Sequence, residues 1–176
     1  MNRLIQSVLA ALILTFTFSF AAQAKSYQKT PSVCSREPVA CNIYFEARGE
    51  PLKGQYAVAY VTHNRLRDAR FPKTLKGVVF QESQFSWTKR RMTISDQEAF
   101  QQARRIAAEV ARKADDPIAY RQADPTKGSV YFNAKHVKTK HYKRNAKNVA
   151  RIGNHVFFGK VVLAPKDRSN VSKFPA

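Results

Sequence analysis

Apolar positions dominate from Leu4 to Phe20, after a short lead of Met1, Asn2 and Arg3 and before Ala22-Gln23-Ala24 and the polar Lys25. A positive lead, an apolar block and a small-x-small end predict a secretory signal peptide over residues 1–24. The block is short for a membrane span of about 20 residues, which disfavours the alternative of a retained anchor. No later stretch is apolar enough to cross a bilayer. Residues 25–37 are polar and contain Pro31, so a flexible N-terminal arm is expected there. Pro38 suits the first turn of a helix, and Val39, Ile43 and Ala47 follow at helical spacing until Gly49 and Pro51 stop it. A second helix starts near Pro51, with Ala57, Tyr60, Val61 and Asn64 on one face, and ends between Asp68 and Phe71.

Residues 74–80 (TLKGVVF) suit either a brief helix or an extended segment. Ser95 and Glu98 have the spacing of a capping box, opening a third long helix with Phe100, Ala103, Ala107 and Val110 that Asp116-Pro117 closes. Residues 129–132 (SVYF) and 155–158 (HVFF) read as strands, and the stretch from Lys135 to Arg151 between them is strongly basic. Past Leu163 the chain is polar, with Pro165 and Pro175, and a loose tail is expected over 161–176. The main body is therefore a single domain over 38–160, of the α+β class, mainly helical with a small β element.

Composition narrows the function classes. The 176 residues carry 31 Lys and Arg against 12 Asp and Glu, a net +19. Only Arg3 of these lies in the leader, so the remaining 152 residues keep a charge of +18. Such a surplus predicts a polyanionic partner. Export argues against nucleic acid, so none is expected as partner, and favours the anionic polymers and lipids of the cell envelope; a charge-driven binder of nucleic acid or a membrane surface is the weaker reading. The two cysteines, Cys34 and Cys41, would meet oxidising conditions after export; a disulfide and two free thiols both fit. Two cysteines without a nearby histidine do not complete a zinc shell, and neither a metal nor an organic cofactor is expected.

The densest chemistry lies in residues 44–51, YFEARGEP. Glu46 falls in the last turn of the first helix among aromatic residues. The negative end of the helix dipole and burial against rings both disfavour a carboxylate, which raises the pKa and leaves a protonated acid able to donate. The spacing alone better suits a solvated surface residue or a partner for Arg48. Glu50 is a possible second carboxylate, though its position also suits a partner for Arg48 or a charge near the start of the second helix.

The blocks YFEARGEPLKGQYAVAYVTHNRL, FPKTLKGVVFQESQFSW, GSVYFNA and RIGNHVFF, in this order between Val39 and Phe158, resemble the SleB/CwlJ family of cell wall hydrolases, which includes spore cortex-lytic enzymes. The resemblance implies a lysozyme-like domain, similar to lytic transglycosylases, with Glu46 as catalytic acid. It implies cleavage between N-acetylmuramic acid and N-acetylglucosamine of peptidoglycan, by a single glutamate. Gln84, Phe85 and Ser86 are then expected on one wall of the cleft and Tyr131, Phe132 and Asn133 on the other, with plain core packing equally open for Phe85 and Phe132. At least one of Asn64 and Arg65 is expected to be structural, and His63 and His155 to pack or hydrogen-bond. In place of a separate wall-binding module, Lys89-Arg90-Arg91 and the stretch Lys135 to Arg151 are expected to hold the anionic wall. The expectation is a monomer in a Gram-negative periplasm acting on vegetative peptidoglycan. Hydrolysis by water with help from Glu50, and wall binding without turnover, are the competing readings.

Overall fold

The computed structural model describes residues 30–137 and 150–163. Residues 1–29, 138–149 and 164–176 lie outside the described residues, and with them the expected leader, most of the basic stretch and most of the expected tail. The described chain forms α1 (Thr30–Arg36), α2 (Pro38–Ala47), α3 (Leu52–Arg67), α4 (Leu75–Val79), a 3-10 turn (Ser86–Lys89), α5 (Gln97–Lys113), α6 (Pro117–Ala123) and strands β1 (Tyr131–Ala134), β2 (Ala150–Ile152) and β3 (His155–Phe158). This is the expected α+β class, mainly helical with a small sheet.

The organising element is α3. Its pattern predicts one apolar face, yet the whole run from Ala57 to Arg65 is buried, including Thr62, His63, Asn64 and Arg65. The reason is its neighbours: α2, α4, α5 and the strands β1 and β2 all pack against it. A helix enclosed on every side has to find partners within the fold for most of its polar groups. Thr62 does so by donating to Val58 O and accepting from Asn42 Nδ2. Asn64 donates to Asp124 Oδ2 (2.9 Å) and to Ser129 O (3.0 Å), and its Oδ1 accepts from the Tyr120 hydroxyl. Asp124 also accepts from the amides of Thr126 and Gly128, which shapes the loop that delivers the chain to β1.

Local chemistry explains most element ends. Pro38 stands at the start of α2, where its missing N–H costs nothing. The Thr74 side chain accepts from Gly77 N and so caps α4, deciding the 74–80 segment for helix. The cap of α5 is Asp96, which accepts from Ala99 N, one residue later than the expected Ser95. A carboxylate does the same work with added charge against the helix dipole. Asp116-Pro117 ends one helix and starts another, because Asp116 accepts from the amides of Ile118 and Ala119 and caps α6, which the sequence pattern did not reveal.

The sheet has order β1-β3-β2, both pairings antiparallel, with Tyr131 opposite Phe158 and Ile152 opposite His155. β1 begins two residues later than expected, and β2 falls at the end of the stretch read as merely basic. The close of the described chain is tied down where a loose tail was expected from 161: Val162 N donates to Asp68 Oδ2 and Val161 N to Gly128 O.

The expected flexible arm is helical from Thr30. Val33 and Cys34 are buried against the main core, and Cys34 is bonded to Cys41 of α2. The cross-link and the apolar contact give this short helix the partner that its polar composition concealed. Replacing both cysteines with serine is expected to lower unfolding stability by about 2 kcal/mol, as for a small closed loop, read by urea denaturation of oxidised wild type against the variant.

Candidate active site

Glu46 is the next-to-last residue of α2 and is half-buried. Its setting comes from its chain neighbours. Tyr44 is fully buried and meets Phe45 edge-on at 5.0 Å, and Phe45 packs on Trp87 at 4.9 Å. Trp87 in turn donates its indole N–H to Oδ1 of the fully buried Asn42 on α2 (3.3 Å), which holds the segment after Gln84 against the helix that carries Glu46. Burial holds the Glu46 carboxyl above the ordinary carboxylate range, and the positive charge of Arg65 pulls it part of the way back. The net effect biases the group toward its protonated form.

Arg65 is the unexpected member. Only 4% of it is exposed. Its Nε donates to Val130 O at 2.7 Å, and its guanidinium lies 5.2 Å from the Phe71 ring, 5.3 Å from Phe85 and 5.9 Å from Tyr131. Burial lowers its pKa to about 10, which leaves it charged at neutral pH. Sequence reasoning left it undecided between roles; nothing in the pattern distinguishes an arginine that turns inward from one on the surface.

The two expected cleft walls meet at this guanidinium. Phe85 packs on Phe132 at 6.1 Å, and Phe132 meets the His155 ring edge-on at 5.3 Å. Phe85 is buried, whereas Phe132, Tyr131 and Asn133 on β1 are half-buried. Gln84 is half-buried and Ser86 exposed at the start of the 3-10 turn. Sequence reasoning gave no role to Trp87, the single tryptophan of the chain; its rarity was the available signal.

Glu50 is committed elsewhere. Its side chain is 10% exposed. One carboxylate oxygen accepts from the backbone N–H of Asn154 at 2.7 Å and the other from Asn154 Nδ2 at 3.2 Å. It does not pair with Arg48, whose guanidinium lies over the Tyr44 ring at 4.8 Å. Glu50 thus pins the β2–β3 loop to the start of α3. The loop permits this because Gly153 has φ +57 and no side chain; a Cβ there would stand 1.9 Å from Glu50 Oε2. Gly153→Ala is expected to cost about 2–3 kcal/mol, combining a disfavoured φ with displacement of Glu50, read as a drop in the denaturation midpoint.

A cavity of about 450 Å³ lined by Arg36, Pro38, His63, Leu75 and Arg104 opens at the other end of α2. Eight residues of helix, about 12 Å of rise, separate Pro38 from Glu46. Among the described residues no group of three or more His, Cys, Asp and Glu is placed to hold a metal ion.

A mainly helical domain with a buried central helix and a small three-stranded sheet is of the lysozyme-like class. The comparisons with known proteins agree. The sequence profile of the cell wall hydrolase family matches residues 49–158; the chain belongs to that family. Glu46 lies three residues ahead of the matched span. The spore cortex-lytic enzyme of Bacillus subtilis (strain 168) is 30% identical over 115 residues, 65% of this chain and 34% of that protein. The spore cortex-lytic enzyme of Halalkalibacterium halodurans is 33% identical over 115 residues, 65% of this chain and 32% of that protein. The chain spans about a third of the length of these curated relatives. The catalytic domain of the Bacillus cereus SleB protein superposes with a TM-score of 0.55 at 27% identity, covering 73% of this chain and 91% of that one. The catalytic domain of the germination-specific lytic transglycosylase SleB from Bacillus anthracis gives 0.52 at 27% identity, covering 71% and 93%.

Proposed function

We propose that this protein cleaves the β-1,4 bond between N-acetylmuramic acid and N-acetylglucosamine in peptidoglycan, as a lytic transglycosylase with Glu46 as its one catalytic carboxyl group. The observation that carries the reading is the contrast between two glutamates. Glu46 is half-buried, biased toward protonation and unclaimed by the hairpin, while both oxygens of Glu50 are engaged by Asn154. Retaining and inverting glycosidases use two carboxyl groups; a site offering one suits an internal nucleophile.

In the proposed reaction the Glu46 acid protonates the bridging oxygen as the bond to the muramic anomeric carbon breaks. The 6-hydroxyl of the same muramic residue bonds to that carbon, and its proton passes to the Glu46 carboxylate. The products are a 1,6-anhydromuramic end and a free 4-hydroxyl, and the acid is restored without water. The half-buried Tyr131, Phe132 and Asn133 and the Gln84-Phe85-Ser86 segment are the proposed sugar contacts; Phe85 contributes chiefly as the wall behind them, being buried itself. The Cys34–Cys41 bond supports an exported, oxidising setting such as a periplasm. The exposed cations, among them Lys89, Arg90 and Arg91, support adhesion to anionic envelope polymers. The Bacillus anthracis relative is a lytic transglycosylase by name, which favours this chemistry over hydrolysis.

Mass spectrometry of purified peptidoglycan digested with the protein tests the proposal. Anhydro-muropeptides are the expected products. Reducing-end muropeptides would replace transglycosylation by hydrolysis, and an undigested wall that retains bound protein would favour the non-catalytic reading.

A further inference from the structure

Glu50 closes the turn that follows Glu46 and reaches beyond it. Its backbone N–H donates to Ala47 O at 2.9 Å, and its carbonyl accepts from Gln55 Nε2 at 3.1 Å, which fixes the residue to the end of α2 and the first turn of α3. Its carboxylate accepts from Asn154 N (2.7 Å) and Asn154 Nδ2 (3.2 Å). Asn154 continues the path, because its carbonyl accepts from Lys135 N at 2.9 Å, directly after β1. A run of hydrogen bonds therefore joins the helix end that carries Glu46 to the strand that carries Tyr131, Phe132 and Asn133. The adjacent His155 lies on the same path: its Nδ1 stands 4.0 Å from Glu50 Oε1, and its ring meets Phe132 edge-on at 5.3 Å.

Packing does not supply the same constraint. The sheet rests on α3 through Ile152, Phe157 and Phe132, which cluster with Ala57 and Val61. Apolar contact is non-directional, so it holds the sheet to the helix without fixing where along the helix it sits. β2 has three residues and β3 four, and so short a sheet has little rigidity of its own. The clasp is also demanding to build. A side chain only 10% exposed must give up most of its water, and Gly153 must take φ +57 beside it. An apolar contact would attach the hairpin with neither requirement; only directed hydrogen bonds fix its position.

We infer that Glu50 is a positioning residue for the cleavage reaction: through Asn154 it sets the place of the β1 wall relative to the acid at the end of α2. The inference rests on the role proposed for Glu46 and on the sugar contacts proposed for β1. Cleavage needs the sugar held on the wall and the acid held at the bridging oxygen at once. A displacement of about 1 Å that starts away from the reacting atoms can cost roughly a hundredfold in rate. In this role Glu50 touches neither the sugar nor the breaking bond; it joins the two parts that do.

Exchanging the two ends of the clasp tests the inference. kcat and KM are measured on soluble, uncrosslinked glycan strands, with urea unfolding showing that each variant is native under the assay conditions. Glu50→Ala is expected to lower kcat about 10- to 100-fold while KM moves less than about threefold, because sugars still bind the shifted wall. Glu50→Gln keeps an oxygen for Asn154 N and offers a nitrogen to Asn154 Oδ1 once that amide is turned, so it should recover most of the loss. Asn154→Asp sets two carboxylates against each other and should fall about as far as Glu50→Ala. Combining Glu50→Gln with Asn154→Asp again faces a donor with an acceptor, the carboxylate now on the other partner, and should return kcat to within about fivefold of wild type. A native double variant no faster than Asn154→Asp would overturn the inference. So would a Glu50→Gln variant as slow as Glu50→Ala, which would give the Glu50 carboxylate a chemistry of its own. Variants with lowered unfolding midpoints but wild-type kcat would make the clasp merely structural and overturn it as well. If Glu50→Ala does not fold, Glu50→Gln and the double variant still decide, since both preserve the contact. Glu46→Gln runs alongside. Full activity there would remove the proposed reaction and this inference with it; lost activity there, without rescue by the double variant, would overturn the inference alone.

Discussion

Glu46→Gln is expected to lower peptidoglycan turnover by about 10²- to 10⁴-fold, the contribution typical of a positioned general acid, with unfolding stability close to wild type. The substitution keeps the shape of the side chain and removes only the transferable proton. Wild-type activity should decline as pH rises through the Glu46 pKa, because burial places that value above the ordinary carboxylate range. The residual activity of the Gln variant should lack that limb. Release of soluble muropeptides by both proteins over a pH series makes the measurement. A variant retaining a tenth or more of wild-type turnover would move attention to Glu50, and with it to the Asn154 loop that Glu50 now holds.

Acid stability should depend on one histidine. His63 sits inside α3, 4% exposed, and its Nε2 has no hydrogen-bond partner. Burial, assisted by the positive charge of Arg67 one turn on, lowers its pKa from 6.5 to about 4. The unfolded chain therefore binds more protons than the folded one between these values, and folding stability falls as pH falls through that window. Wild type is expected to lose about 3 kcal/mol between pH 7 and pH 4 relative to His63→Leu. Urea unfolding of both proteins at several pH values reads the difference directly. Parallel curves would show that the ring titrates alike in the folded and unfolded chains.

These expectations draw on different levels of the molecule. The place of Glu46 at the end of a helix among aromatic residues was legible in the sequence because its cause is local: helix spacing through Val39, Ile43 and Ala47, a stop at Gly49 and Pro51, and aromatic neighbours on the same turn; its proposed role came from the family motif. The depth of His63 was not, since a histidine one position from Asn64 carries no mark of which helix face closes over it. The cap of α5 moved by a single residue because serine and aspartate both accept from the same amides, and only the backbone path selects between them. The helix α1 was hidden by polar composition and is held by an apolar contact and a covalent bond to α2.

By itself the sequence determined the mainly helical α+β class, the succession of the long helices and a strongly basic chain, which follow from short-range spacing, punctuation by proline and glycine, and composition; Glu46 as candidate acid followed from the resemblance of whole motifs to a known family. Only the tertiary structure decided that α3 is enclosed on every side, that Glu50 serves Asn154 across 104 residues, and that Arg65 turns inward to Val130 with a nitrogen to spare. Each of these depends on which distant segment arrives beside a polar group. The local chain cannot encode that arrival, because the same glutamate or arginine is equally stable in water until a partner and a burying surface are brought to it together.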